Sequence, residues 1–354
     1  MGQIQLFKID DGFHPWENEI TNLLNSSGSL DQSIHESKYD YYFVDVNAVT
    51  NFYIKGCIDL GEKIREKVNN GLNEVIFIIS FIGEGIHHKM IHNFIEDLLL
   101  IGFNKNNVRL FYSSYYDVPH RFIHSNFWEY FVKIPVIDHD MENDFLSTLP
   151  SKYFLCLVRQ TNPSRSKFFS KFRSVEWFNN KEIMDLSYGV SEKNNKFKPI
   201  VFDNPRVSDK QQHITIDPKL LNQLFNLVVE THITIKIESN GVGYITEKSM
   251  KPFYYCQIPI WVAQPNVVNI IRELGFDVYD DILDNHNYDL IEDDDKRYEN
   301  VINLLNTLKS RYTLEGIIDL KKNLKDRVLK NRERLFELDS QHPSIFSEKF
   351  KLIL

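Results

Sequence analysis

Three groups of residues in this chain have types and spacings that could do chemistry. The richest is His232–Gln264, HITIKIESNGVGYITEKSMKPFYYCQIPIWVAQ. A strand pattern ends in Glu238, a loop with Gly241 and Gly243 follows, and Thr246 can cap a short helix that begins at Glu247. Lys248 then falls in the first helical turn, where outward-pointing backbone N–H groups and the helix dipole favour an anion. An ammonium there adds a full charge, and the combination suits a pyrophosphate. Glu247 beside it can accept two hydrogen bonds from a ribose diol. Pro252 keeps the first turn short or kinks the helix. The same residues also read as an ordinary capped surface helix.

The second group is Phe154–Lys171, FLCLVRQTNPSRSKFFSK. A strand ending in Arg159, a turn at Asn162-Pro163 and a helix opening with Arg165 would aim two guanidiniums at one cleft, and guanidinium matches phosphate bidentately. Arg159, Arg165, Lys167, Lys171 and Arg173 follow one another without an acid, with Phe168, Phe169, Phe172 and Trp177 nearby. Such a strip could track a nucleic acid. It equally describes an amphipathic helix with core phenylalanines and a solvated basic face. The third group is Gly83-Glu84-Gly85, after the apolar run Val75–Ile82. A carboxylate at the carboxyl end of a parallel strand lies where α/β catalytic groups emerge, and it could take a proton from an attacking hydroxyl. Asp11, His14 and His87 are further candidates on the acceptor side. Asp138-His139-Asp140 imitates a D-x-D metal motif but reads as an acidic connector, and Asp293-Asp294-Asp295 reads as the start of a helix.

In order, Ile237-Glu238-Ser239-Asn240, Tyr244-Ile245-Thr246-Glu247-Lys248 and Ile258-Pro259-Ile260 resemble the donor-binding motif of the α-1,3-fucosyltransferase family. The run Thr246–Pro252, with Leu274-Gly275-Phe276 and Tyr288-Asp289 after it, is more similar still to phage- and giant-virus-encoded glycosyltransferases. The resemblance covers roughly the second half of the chain. It implies two Rossmann-like domains facing a cleft (the GT-B type), a UDP- or GDP-sugar donor in the second domain, no metal, and inversion at the anomeric carbon. By the same resemblance Glu247 would bind the ribose, and Lys248 and Arg165 the diphosphate. Glu238, Tyr244, Thr246 and Lys251 would complete the donor site, with Glu84 as base. The acceptor would be a glycan or a hydroxymethylated base in DNA, the latter using Lys167, Lys171 and Arg173 and flipping the base. A reading from another class is a non-catalytic module that binds a nucleotide sugar or glycan.

The elements that must position these groups alternate. Tyr41–Val46, Glu74–Ile82 and Val108–Tyr112 read as strands, with helices over Ile58–Val68 and Lys89–Ile101 between them. After Leu149-Pro150-Ser151 the alternation restarts with Tyr153–Val158 as a strand and Arg165–Phe172 as a helix. Leu220–Glu230 reads as a helix, His232–Glu238 as a strand, Ile258–Ala263 as a strand, Val267–Leu274 as a helix and Phe276–Tyr279 as a strand. The pattern from Asp295 is helical, with Tyr298–Leu308 and then a charged stretch from Leu314 to about Leu338. Three regions follow: 1–150 on the acceptor side, 151–312 on the donor side, and a helical segment 313–354 packing back on both.

Composition narrows the classes. A charged fraction of 25%, a hydrophobic fraction of 42% and 13% aromatics in 354 residues are those of a folded globular protein. The net charge of −8 opposes broad binding to nucleic acid, which draws its affinity from neutralised phosphates. No apolar run approaches a membrane span, and no secretory signal shows in the first twenty residues, so a cytoplasmic protein is expected (host cytoplasm for a viral one). Cys57, Cys156 and Cys256 are widely spaced and form no metal framework. Walker, G-x-S-x-G and H-E-x-x-H patterns are absent.

Overall fold

The computed structural model describes five strand backbones in the first 124 residues. It also describes residues 147–158, 162–188, 222–230, 233–234 and 245, and most of the chain from 247 to 351. The chain divides into two compact units. One is Met1–Glu129 with Lys236–Gly241 and Ser340–Leu354; the other is Tyr130–Ile235 with Val242–Asp339. Residues 130–150, and the helices as far as Asp339, therefore count with the second unit.

In the first unit β1 (Ile4–Phe7), β2 (Asp40–Asp45), β3 (Val75–Phe81), β4 (Val108–Tyr112) and β5 (Phe122–His124) form one sheet in chain order. Every pairing is parallel, with Tyr41 opposite Ile76 and Ile78 opposite Arg109. The nearly unbroken apolar run VIFIISF of β3 is the sequence pattern common in parallel strands. Strands β2, β3 and β4 match the expected ones. The three-residue β5 and the β1 segment carry too short a pattern to be read in advance.

The second unit holds a four-stranded parallel sheet in the order β7-β6-β8-β9: β6 (Lys152–Val158), β7 (Met184–Tyr188), β8 (Gln223–Val229) and β9 (Ile258–Val262). The molecule is thus α/β with parallel sheets, as expected. Helix α1 (Pro163–Phe172) follows β6, with Pro163 at its first position and the Asn162 side chain accepting from the Arg165 N–H at 2.8 Å. It lays Phe168, Phe169 and Phe172 into the core, where Phe168 meets Tyr298 edge-on at 5.6 Å. Helix α2 (Glu247–Tyr254) runs through Pro252 and stops at Cys256, whose φ of 55° stands at a place usually given to glycine. The Gln257 N–H closes that end on the Pro252 carbonyl at 2.8 Å.

Two expected elements are corrected, and Ile233 and Thr234, the described residues of the expected strand His232–Glu238, belong to no strand. Leu220–Glu230 is not a helix: residues 223–229 are β8, and all seven are buried. A strand covered on both faces is apolar at every position and so mimics a helical stripe. Its polar interruption, Asn226, is satisfied inside the sheet by donating to Gln257 Oε1 at 2.8 Å. Phe276–Tyr279 is not a strand: it joins no sheet, and Tyr279 has φ 59°. The Asn331 side chain takes a neighbouring strand's place, accepting from the Asp277 N–H and donating to its carbonyl, both at 2.8 Å.

Further helices follow β9 in the chain. They are α3 (Val267–Glu273), α4 (Asp280–Leu283), α5 (Asp294–Arg311), α6 (Leu314–Asn323) and α7 (Lys325–Lys351). The charged stretch from Leu314 is helical, as expected, in two helices that meet at Leu324. Asp293 caps α5 by accepting from the Lys296 N–H at 2.8 Å, so the Asp293–Asp295 run is a helix start, as expected. Leu274-Gly275-Phe276 is a helix stop: Gly275 has φ 91°, and a Cβ there would meet Arg334 Nε at 2.9 Å. Tyr288-Asp289 is a cap, because the Asp289 carboxylate accepts from the N–H groups of Val268 and Asn269 at 2.9 and 3.1 Å.

Candidate functional site

In the second sheet the chain leaves β6 for β7 on one side, then crosses to β8 on the other. The point where strand order reverses lies between the carboxyl ends of β6 and β8, and crevices of this kind take ligands in open α/β sheets. Three elements meet there. The first is the start of α1, the second is the end of β8 with Glu230, and the third is the start of α2.

Glu230 is fully buried directly after β8. Its backbone N–H continues the sheet to the Val262 carbonyl at 3.0 Å, and its carboxylate accepts from Ser249 Oγ at 2.6 Å. Ser249 is fully buried too and lies one residue after Lys248. The first turn of α2 is therefore pinned to the strand end by a charge-assisted bond shielded from water. From the other side the Arg165 guanidinium donates to the carbonyls of Glu230 at 2.7 Å (Nε) and Val229 at 3.1 Å (Nη2). The hydroxyls of Ser164 and Thr234 meet at 3.1 Å, which ties α1 to the loop after β8.

A second anchor lies beside this crevice. Arg297, 2% exposed, sends Nε to the Ala263 carbonyl at 3.1 Å and Nη2 to the Ile233 carbonyl at 2.6 Å and Asp294 Oδ1 at 2.5 Å. Its Nη1 reaches the carbonyls of Ile291 and Glu292 at 2.5 and 3.2 Å. One side chain thus holds the loops after β8 and β9 and the start of α5.

The residues named from sequence fall in several places. Glu247 opens α2, and Lys248 and Lys251 lie half-buried on it. Arg165 is at the crevice, but two of its N–H groups are spent on strand carbonyls. Lys167 pairs with Asp295 at 2.9 Å, and Lys171 with Glu299 at 2.8 Å and Asp295 at 3.4 Å. The hydrogen bond to Glu299 is the main cause that raises the Lys171 pKa. Both lysines therefore face acids of α5 rather than a bare cationic strip. Arg173 is half-buried at the C-terminal cap of α1. Glu84, Asp11, His14, His87, Asp138, Asp140, Arg159, Glu238, Tyr244 and Thr246 lie outside the described residues.

Sequence reasoning gave no role to Glu230, Ser249, Arg297 or Asp289, although Ser249 and Asp289 fall within the motifs that carry the resemblance. The signal for Glu230 was present, as the acid closing the run Leu224–Val229; reading that run as a helix hid it. Arg297 carried no signal, because its five acceptors are mostly backbone carbonyls. Burial pushes the Asp289 carboxyl up to about 6, against the two N–H groups that favour its ionised form. Burial also raises the Cys156 thiol well above its usual range, so it packs as a neutral core residue. No group of three or more potential metal ligands is found among the described residues. No described helix is long and apolar enough to cross a membrane.

A scan against family models and a search of curated proteins both find no match to this chain. Solved structures give weak similarities. A trehalose-6-phosphate protein from E. coli bound with UDP-2-fluoro glucose shares 9% identity over 96% of this chain and 79% of its own, with a TM-score of 0.41. The N-terminal domain of Candida albicans trehalose-6-phosphate phosphatase shares 8% over 98% and 77%, with a TM-score of 0.44. A trehalose-6-phosphate synthase studied with bisubstrate glycomimetics shares 9% over 96% and 80%, with a TM-score of 0.42. Similarities this weak carry nothing about activity.

Proposed function

We propose that this chain is a glycosyltransferase whose second unit holds a nucleotide-diphosphate sugar at the carboxyl ends of β6 and β8. The observation that carries the reading is the Ser249–Glu230 bond, which seats the start of α2, and with it Lys248, against the switch point of a parallel sheet. The order of the Thr246-Glu247-Lys248 motif and its following strand supports the same reading. In it Lys248 and the helix start bind the diphosphate, and they stabilise the charge that builds on it as the sugar leaves. Glu247 takes the ribose, while Tyr244, Thr246, Glu238 and Lys251 shape the donor pocket. Since Arg165 is engaged with strand carbonyls, Arg159, next after β6, is the cation assigned to the phosphates.

The finer chemistry in this reading is inverting transfer without a metal, with Glu84 as the base that takes the acceptor proton. The pairing of Lys167 and Lys171 with acids of α5, together with the net charge of −8, supports a glycan hydroxyl over a DNA base as acceptor. The donor is a UDP- or GDP-sugar.

Calorimetry with UDP and GDP tests the donor site. Lys248→Ala should weaken the preferred nucleotide by about 1.5–3 kcal/mol, the cost of a lost charge-assisted contact. Unchanged affinity in a folded variant would place the site elsewhere. Donor turnover should also survive EDTA, and a loss restored by Mn²⁺ would make the transfer metal-dependent.

A further inference from the structure

We infer that Glu230 and Ser249 act as a positioning pair for the diphosphate, a role that rests on the glycosyltransferase reading above. Neither side chain is exposed, so neither contacts a ligand from solvent. Their effect passes through α2. Lys248 immediately precedes Ser249, so the hydroxyl that Glu230 holds at 2.6 Å belongs to the turn that carries the ammonium. Glu230 in turn is fixed on three sides: by the sheet bond of its N–H to Val262, by Arg165 on its carbonyl, and by Ser249 on its carboxylate.

The helix needs such a tether because it is short and interrupted. It spans eight residues, and Pro252 supplies no N–H for the Lys248 carbonyl, removing one bond of its first full turn. A helix of this length has little stability of its own. Its start is therefore located by tertiary contacts, and the Ser249–Glu230 bond is buried and charge-assisted. Glu230 and Ser249 set where the anion-binding turn sits, and Lys248 makes the contact.

The experiment compares nucleoside with nucleoside diphosphate on the full chain. Affinities for uridine, UDP, guanosine and GDP are measured by calorimetry for the wild type, Ser249→Ala, Glu230→Gln and the double variant, beside their melting temperatures. For the preferred base, Ser249→Ala should weaken the diphosphate about tenfold, the usual range for such a bond, and leave the nucleoside within about twofold. Glu230→Gln keeps an acceptor but not the charge, so it should lose less. The double variant should resemble Ser249→Ala alone, as coupled groups do.

A merely structural role would lower the melting temperature and leave the ratio of diphosphate to nucleoside affinity unchanged; that result overturns the inference. Additive losses in the double variant would overturn the pairing. Should Glu230→Gln fail to fold, the ratio in Ser249→Ala alone decides. A wild-type chain that binds neither diphosphate overturns the donor reading and this role together, whereas tight wild-type binding with unaffected variants removes only the role.

Discussion

The two ends of the second sheet both bury polar groups, yet they use them differently. At the amino end, Lys152 reaches Asp185 at 2.6 Å, and Gln223 donates to the other carboxylate oxygen. The Gln223 carbonyl accepts from Gln257 at 3.2 Å, and Gln257 accepts from Asn226 at 2.8 Å. All of these groups lie on a strand or immediately before one, so the network sews neighbouring strands together. At the carboxyl end, Glu230, Arg165 and Arg297 tie strand ends to the starts of α1, α2 and α5 and to the loops between. A buried charge is therefore no mark of a site by itself, since structural networks bury charge too. What distinguishes the carboxyl end is that its polar groups fix the positions of helix starts, where backbone N–H groups face outward.

Substitutions at the two ends should separate accordingly. The largest effect is expected from Arg297→Met, which leaves several buried carbonyls and Asp294 without their donor. Urea unfolding should show a loss of about 3–5 kcal/mol, the range for breaking a buried charged network. A loss below about 1 kcal/mol would mean that water replaces the guanidinium, and the carboxyl end would then be more open than its burial indicates. Next comes Asp185→Leu at the amino end, expected to cost about 2 kcal/mol from the stranded Gln223 amide and Lys152. Nucleotide affinity should stay at the wild-type value. Were it to fall as far as in Ser249→Ala, the two ends would not be independent and the contrast would fail.

The third effect, of similar size to the second, is a pH dependence that belongs to the carboxyl end. Asp289 binds its proton more tightly folded, at about 6, than in an unfolded chain at 3.8. Its contribution is present below pH 3.8 and is lost as pH rises through about 6. Stability should therefore fall by about 1–3 kcal/mol across that window, at about 1.4 kcal/mol for each pH unit between the two values and with part of it screened. In Asp289→Asn that portion of the pH profile should be flat. A wild-type profile that matches the variant's would show that the two N–H bonds outweigh burial and keep the carboxylate ionised.

Much of the fold is legible in the sequence. Strands β2, β3, β4, β6 and β9 and helices α1, α3 and α5 follow from local periodicity, the Asn162-Pro163 start and the Asp293 cap. These signals are local, because a cap or an apolar stripe acts within one or two turns of chain. The start of α2 at Glu247 is legible for the same reason. Residues 223–229 are not, since an apolar run covered on both faces has no period that separates strand from helix, and only its neighbours decide.

Local sequence therefore suffices for the α/β class and for the starts of α1, α2 and α5. Tertiary packing was needed to put β8 between β6 and β9, which makes Glu230, rather than an acid of a later segment, the one that ends the central strand. Packing also decided that Arg165 holds carbonyls 64 and 65 positions away, that Lys167 and Lys171 face acids of α5, and that Ser249 meets an acid 19 positions back. Partners so far apart in the chain leave no periodic trace in it. A buried donor is satisfied by whichever acceptor the packing brings near, and most of those acceptors are backbone carbonyls, which every residue carries.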